Sequence, residues 1–197
     1  MVKTKIIAIL IITLSISSCL NFYRNSEGAL RPKKVEFKLD KNQDSSKTCT
    51  VDALSVYELH STWLGDYDFN STRKDDYNLM EEYRHYDGSL ANFKTFLRFY
   101  KNGNLSFFQV DNESELNKEA FNPSKGIIGV YSCNYNGILI EEFSFRGHQG
   151  EYLNSKARVN GDTIYLINEL SGYYTGKHNI FIKREVPLIF LDWKSDW

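Results

Sequence analysis

The sequence predicts a mainly β protein: an antiparallel up-and-down barrel, or a sandwich, with a short N-terminal helix. Three observations carry this. Tyr and Phe number 13 each while Pro numbers 3, and aromatic residues favour strands and bury large areas. Three segments beyond residue 95 place alternating residues on both sides of an Asn-Gly dipeptide: "TFLRFYK-NGN-LSFFQV", "GVYSCN-YNG-ILIEEFSF" and "YLNSKARV-NGD-TIYLIN". Asn-Gly supplies the positive φ angles that tight hairpins use. Beyond the same point, no apolar stretch keeps a helical period for about ten residues.

In chain order, residues 20–48 are polar and irregular, although "VEFKL" alternates and reads as a first short strand. Residues 49–70 fit two patterns. Asp52 suits the cap of a helix whose apolar face holds Leu54, Tyr57 and Leu64. Tyr57, Leu59 and Trp63 also alternate, so the reading is a short helix, then a strand through Trp63. Residues 71–94 form a polar excursion with a helical turn at "YNLMEEYRHY". The three hairpins follow, linked by "DNESELNKEAFNPSKG" and "RGHQG", and "NIFIKR" with "PLIFLDW" makes a last pair. Over 151–159, Leu153, Ser155, Ala157 and Val159 share one face. Tyr152, Asn154, Lys156 and Arg158 share the other, giving one packed wall and one wet wall. About eight such strands in succession curl into a barrel or a sandwich.

The first residues explain the address. "MVKTK" carries Lys3 and Lys5, and residues 6–16 are apolar but for Thr13 and Ser15. A positive start and a short apolar run read as a secretory signal, too short to span a bilayer. The run ends in "ISSC", which resembles the lipobox of bacterial lipoproteins. In that family the cysteine thiol takes a diacylglyceryl group, the leader is cut before it, and the new amino terminus is acylated, palmitate being one such chain. The resemblance implies a signal peptide over 1–18, a lipidated Cys19, and a membrane-anchored protein of the bacterial cell envelope. Leu20 after the cysteine points to the outer membrane. Residues 19–48 then form a lipidated tether and lead-in, and residues 49–197 a single antiparallel β domain.

Without the leader, 179 of the 197 residues remain, with 22 basic against 25 acidic side chains. No basic stripe appears, so nucleic-acid binding has no electrostatic support. With Cys19 taken by lipid, Cys49 and Cys133 remain, and two thiols in an oxidising compartment invite a disulfide. The alternative is two buried free thiols.

Motifs that carry chemistry are sparse. "DYDFN" spaces Asp66, Asp68 and Asn70 like the start of a calcium loop, but the sixth and twelfth places hold Ser71 and Tyr77 instead of Gly and Glu. His60, His85, His148 and His178 have no zinc-type spacing. Glu141 and Glu142 are adjacent on a strand and face opposite sides. No P-loop, dinucleotide fingerprint or Gly-x-Ser-x-Gly occurs, and no metal or cofactor is expected. The loop "LSGYYTGKHN" places Tyr173 and Tyr174 between glycines, as an aromatic lip on a barrel mouth or as a plug packed over the barrel end. If the interior is a pocket, Phe96, Phe99, Phe107, Phe143 and Tyr165 line it.

"FLRFYKNGNLSFF", "GVYSCNYNGILIEEF" and "ARVNGDTIYLI" together resemble the meander of small lipocalin-like bacterial lipoproteins, over roughly residues 60–185. Lipocalins carry Gly-x-Trp on the first strand; here the order is Trp63-Leu64-Gly65. They also carry a late arginine that stacks on that tryptophan, a part open to Arg184. The expected function is a lipid-anchored envelope protein whose barrel binds a small apolar ligand or a partner protein. The alternatives are an assembly lipoprotein without a ligand cavity and an envelope hydrolase.

Overall fold

The computed structural model describes residues 21–39, 51–76, 93–111, 115–134, 137–146, 149–170, 174–195 and 197. Its strands are β1 (Phe22–Arg24), β2 (Leu30–Pro32), β3 (Val56–Gly65), β4 (Asp75–Asp76), β5 (Lys94–Phe99), β6 (Asn104–Val110), β7 (Ile127–Asn134), β8 (Gly137–Arg146), β9 (Gln149–Asn160), β10 (Thr163–Glu169) and β11 (Gly176–Arg184). From β5 to β11 each strand pairs with the next. β3 pairs with β5 on one side and β11 on the other. This closes an eight-stranded antiparallel barrel, lipocalin-like in its meander, and removes the sandwich. Closure gives each of those eight strands a partner on both sides, although β3 meets β5 only over Val56–Glu58.

The hairpins form where the Asn-Gly dipeptides lie. Residues 100–103 link β5 to β6, and residues 161–162 link β9 to β10, with Asn160 opposite Thr163. Among the described residues only glycines take positive φ, Gly103 at 80° and Gly161 at 58°. Asn102 contributes differently from the sequence expectation: its side-chain oxygen accepts the Asn104 N–H across the turn. These two turns lie at one end of the barrel; the longer β6–β7 and β10–β11 connections lie at the other, with the two-residue β8–β9 link.

The tight-turn end is filled. Tyr57, Phe99, Leu105, Tyr131, Ile138, Ile140, Ile164 and Phe181 form one buried cluster there, with Phe99 edge-on to both Tyr57 and Tyr131. A second apolar cluster lies outside the barrel wall. Val56, Phe96, Phe108 and Val110 on the outer face of β3, β5 and β6 pack under Phe121 and Leu191. Those two residues come from 3-10 turns at Lys118–Phe121 and Leu188–Leu191. The expected last strand "PLIFLDW" is therefore a 3-10 turn and strap. Proline at 187 removes a ladder donor, and the wall already has its full complement of neighbours. Arg98 anchors the strap by donating to the carbonyls of Leu191 and Trp193.

Two N-terminal expectations are corrected. No helix follows Asp52. Its carboxylate accepts the Leu54 N–H and the Ser55 hydroxyl in a local turn, then β3 begins. Ser55 and then Lys183 hold the Asp52 pKa down to about 2. The strand pairing of Tyr57 and Leu59 outweighs any helix there. "VEFKL" is not a strand; it runs along the outer wall, with Lys38 and Leu39 N–H groups donating to the Glu141 carboxylate at 2.7 and 2.9 Å. The strands of this segment are instead β1 and β2, a separate hairpin.

Candidate ligand-binding cavity

The long-loop half of the barrel is hollow. A cavity of about 800 Å³ opens there, within the size range of small-molecule pockets. Its walls follow strand alternation. Phe107, Ile127, Leu153, Leu166 and Phe181 give apolar surface, while Thr95, Gln109, Ser144, Asn168, Lys177 and Asn179 give polar groups. Along β8 the inward positions run Ile138, Ile140, Glu142, Ser144. Along β10 they run Ile164, Leu166, Asn168. Inner faces thus change from apolar to polar on approaching the mouth.

A hydrogen-bonded ladder crosses four strands at the edge of this cavity. The Thr62 hydroxyl donates to Asn179 Oδ1 at 3.0 Å. Asn179 Nδ2 donates to Asn168 Oδ1 at 2.6 Å, and Asn168 Nδ2 donates to Ser155 Oγ at 2.7 Å. Thr62, Asn179 and Ser155 are buried. The ladder fixes each amide's orientation, so the cavity presents set donors and acceptors. Glu142 enters the same space. Burial raises its carboxyl pKa to about 7, opposed by the nearby Lys177 ammonium. Its neighbour Glu141 faces outward, as the sequence spacing requires.

The barrel seam explains why Thr62 points inward. Phe181 pairs with Leu59 and Ile180 with Ser61, so His60 is an extra residue in a bulge. Simple alternation would put Leu59 and Trp63 on one face. The bulge turns Leu59 and Thr62 into the barrel and Trp63 out of it. Trp63 then stacks on His178, ring centroids 3.6 Å apart. Arg184 does not meet Trp63; it lies at the other end of β11, paired with Glu58 at 3.3 Å. The expected stack of Trp63 on Arg184 is therefore absent, and Trp63 stacks on His178 instead.

Hairpin β1–β2 covers part of the mouth. Arg24, Glu27, Gly28, Ala29 and Leu30 contribute to the cavity wall. The hairpin is latched by Arg31, whose guanidinium donates to the carbonyls of Gly126 and Pro123 at 2.8 Å and of Ser124 at 2.9 Å. Asn25 Nδ2 also donates to the Ser124 carbonyl at 2.6 Å, and Asn21 Nδ2 to that of Gly150 at 3.0 Å. Arginine at 31 reads as an ordinary surface cation in the sequence, because its partners lie some ninety residues away.

The aromatic lining expected from sequence is largely overturned. Of Phe96, Phe99, Phe107, Phe143 and Tyr165, only Phe107 borders the cavity. Phe99 fills the closed end, and Phe96 packs under the outer strap. Phe143 meets Tyr152 at a ring distance of 5.2 Å, with Tyr152 on the wall's outer face. Tyr165 is 41% exposed. Leu170, directly after β10, borders the cavity, and Tyr174 precedes β11. Tyr174 donates to Asp75 Oδ2 at 3.1 Å. Tyr173, Cys19, Cys49, His85 and His148 lie outside the described residues, and Cys133 is buried in the wall. Asp68 accepts the Asn70 N–H in a local turn, and Asp66 pairs with Lys74. Among the described residues no three His, Cys, Asp or Glu side chains converge as a metal site.

No family model, curated protein or solved structure matches this chain.

Proposed function

We propose that this protein is a lipid-anchored protein of the bacterial envelope that holds a small amphipathic molecule inside its barrel. The carrying observation is the contrast between the two halves of one interior. An eight-stranded barrel can fill itself with side chains or hold one ligand. The closed half fills itself with Tyr57, Phe99, Leu105 and Tyr131. The open half instead keeps about 800 Å³ and sets Glu142, Lys177 and an oriented amide ladder along its walls. A ligand suited to it has a polar group for these side chains and an apolar part for Phe107, Leu153 and Leu166. This revises the purely apolar ligand expected from sequence.

The envelope address is supported by Lys3, Lys5, the apolar run at 6–16 and "ISSC" ending in Cys19. A Cys49–Cys133 bridge suits the same oxidising compartment. Tyr174 borders entry to the cavity in this reading, beside its partner Asp75.

The test is native mass spectrometry of the full chain purified from bacterial membranes, with titration of a fluorescent fatty acid beside it. A co-purifying small molecule, or saturable dye binding that Leu166→Trp abolishes while the thermal melt persists, is expected. Neither a co-purified molecule nor saturable dye binding by the wild type would overturn the reading.

A further inference from the structure

Hairpin β1–β2 links two features that are far apart in most tethered domains: the anchor and the ligand cavity. Cys19 lies two residues before Asn21, and two extended residues span at most about 7 Å. Asn21 is already docked on the barrel through the Gly150 carbonyl, and Lys33 N–H closes back on the Asn21 carbonyl at 2.9 Å. Between them the hairpin forms part of the cavity wall. Only Leu20 stands between Cys19 and the docked hairpin in the sequence.

The charge of this segment agrees. Residues 21–39 hold five basic and two acidic side chains, whereas the chain beyond the leader is acidic overall. Arg24, Lys33, Lys34 and Lys38 are exposed, with Tyr23 and Val35 beside them at 50% and 46% exposure. Basic side chains are attracted to an anionic surface, and tyrosine favours the headgroup region.

We propose that β1–β2 holds the cavity mouth against the bilayer, so that the barrel exchanges an amphiphile directly with the membrane on which it is anchored. The partner is an anionic lipid surface. The inference rests on the lipid-anchor reading above and deepens the binding reading by naming where the ligand comes from.

The experiment uses the full chain, isolated from bacteria and reconstituted in vesicles containing phosphatidylglycerol and nitroxide-headgroup lipid. A fluorophore is attached at Lys33→Cys, beside the mouth, or at Asn160→Cys, at the tight-turn end. Labelling of the parent chain serves as the background for the native thiols. Strong quenching at position 33 with little at 160 is expected. Inserting a flexible Gly/Ser spacer between Leu20 and Asn21 should remove that difference and slow transfer of a fluorescent fatty acid from the vesicle. Equal quenching at both positions, or transfer unaffected by the spacer, overturns the orientation. Parallel labelling with a fatty-acid probe separates the causes. An unlabelled chain fails the anchor reading, and the proposal with it. A labelled chain with equal quenching fails the orientation alone.

Discussion

Trp63 lies flat on His178 across the seam that closes the barrel, with ring centroids 3.6 Å apart and planes within 8° of parallel. The two residues are direct partners in the β3–β11 ladder. Gly65 makes the stack possible: a Cβ there would stand 2.7 Å from the Trp63 ring and 3.2 Å from His178 Nε2. That imidazole nitrogen also meets the Asp66 carbonyl at 2.8 Å. The Trp63-Leu64-Gly65 order, which departs from the lipocalin pattern, therefore serves a different stack.

Breaking either ring should weaken the seam. A double-mutant cycle on Trp63→Ala and His178→Ala should yield a coupling of about 1 kcal/mol, the scale of stacked aromatic pairs. Urea melts of the four proteins give it, and additive losses would show that the stack contributes only area. Burial lowers the His178 pKa, despite the Asp66 carbonyl. The folded state thus favours the neutral ring. Its contribution is full above the unfolded histidine pKa of about 6.5 and declines as pH falls below it. His178→Gln should flatten that part of the stability profile.

Glu142 should act with the opposite sign. Its folded pKa of about 7 lies above the ordinary 4.5, so the folded state keeps a proton that the unfolded chain releases. The associated stability is full below 4.5 and is lost as pH rises to about 7, by up to roughly 3 kcal/mol. Glu142→Gln should remove this slope and leave the protein more stable at pH 8. Thermal melts from pH 4 to 8 measure it, and an unchanged slope in the variant would assign the titration elsewhere.

Arg31→Ala should loosen the mouth without unfolding the barrel. The guanidinium donates to three carbonyls of the β6–β7 connection, and hydrogen bonds to charged groups contribute about 1.5–3 kcal/mol each. Amide hydrogen exchange should accelerate over β1 and β2 while β7 to β9 stay protected. Uniform acceleration across all strands would show that the hairpin is part of the global folding unit.

The cysteines give a simple chemical test. With a Cys49–Cys133 bridge, alkylation of the denatured, non-reduced chain should modify neither thiol, and reduction should expose both. Removing the bridge with Cys49→Ser should cost about 2–4 kcal/mol, the usual range for a long closed loop. Full alkylation before reduction would exclude the bridge. Cys19→Ser should separately abolish fatty-acid labelling.

Replacing Tyr173 and Tyr174 by Ala should leave the melting temperature nearly unchanged, because Tyr174 makes an exposed hydrogen bond to Asp75. A large drop would mean that the loop is a packed plug over the barrel end.

The sequence by itself determined what is local. Period-two alternation and the Asn-Gly turns located the strands from β5 to β10, and adjacent numbering alone put Glu141 and Glu142 on opposite faces. The lipobox expectation at Cys19 rests on equally local residues. Only tertiary structure decided which inward face is packed and which is hollow, because every strand carries both kinds of residue and the barrel's two ends sort them. It also decided the His60 bulge that turns Trp63 outward, since a bulge is set by the partner strand β11. Phe96 and Phe143 are buried on the outer wall rather than lining the interior, Phe96 under cover drawn from distant parts of the chain. Arg31 became a latch and "PLIFLDW" a strap for the same reason: their partners, the 123–126 carbonyls and Arg98, lie about ninety residues away in the chain.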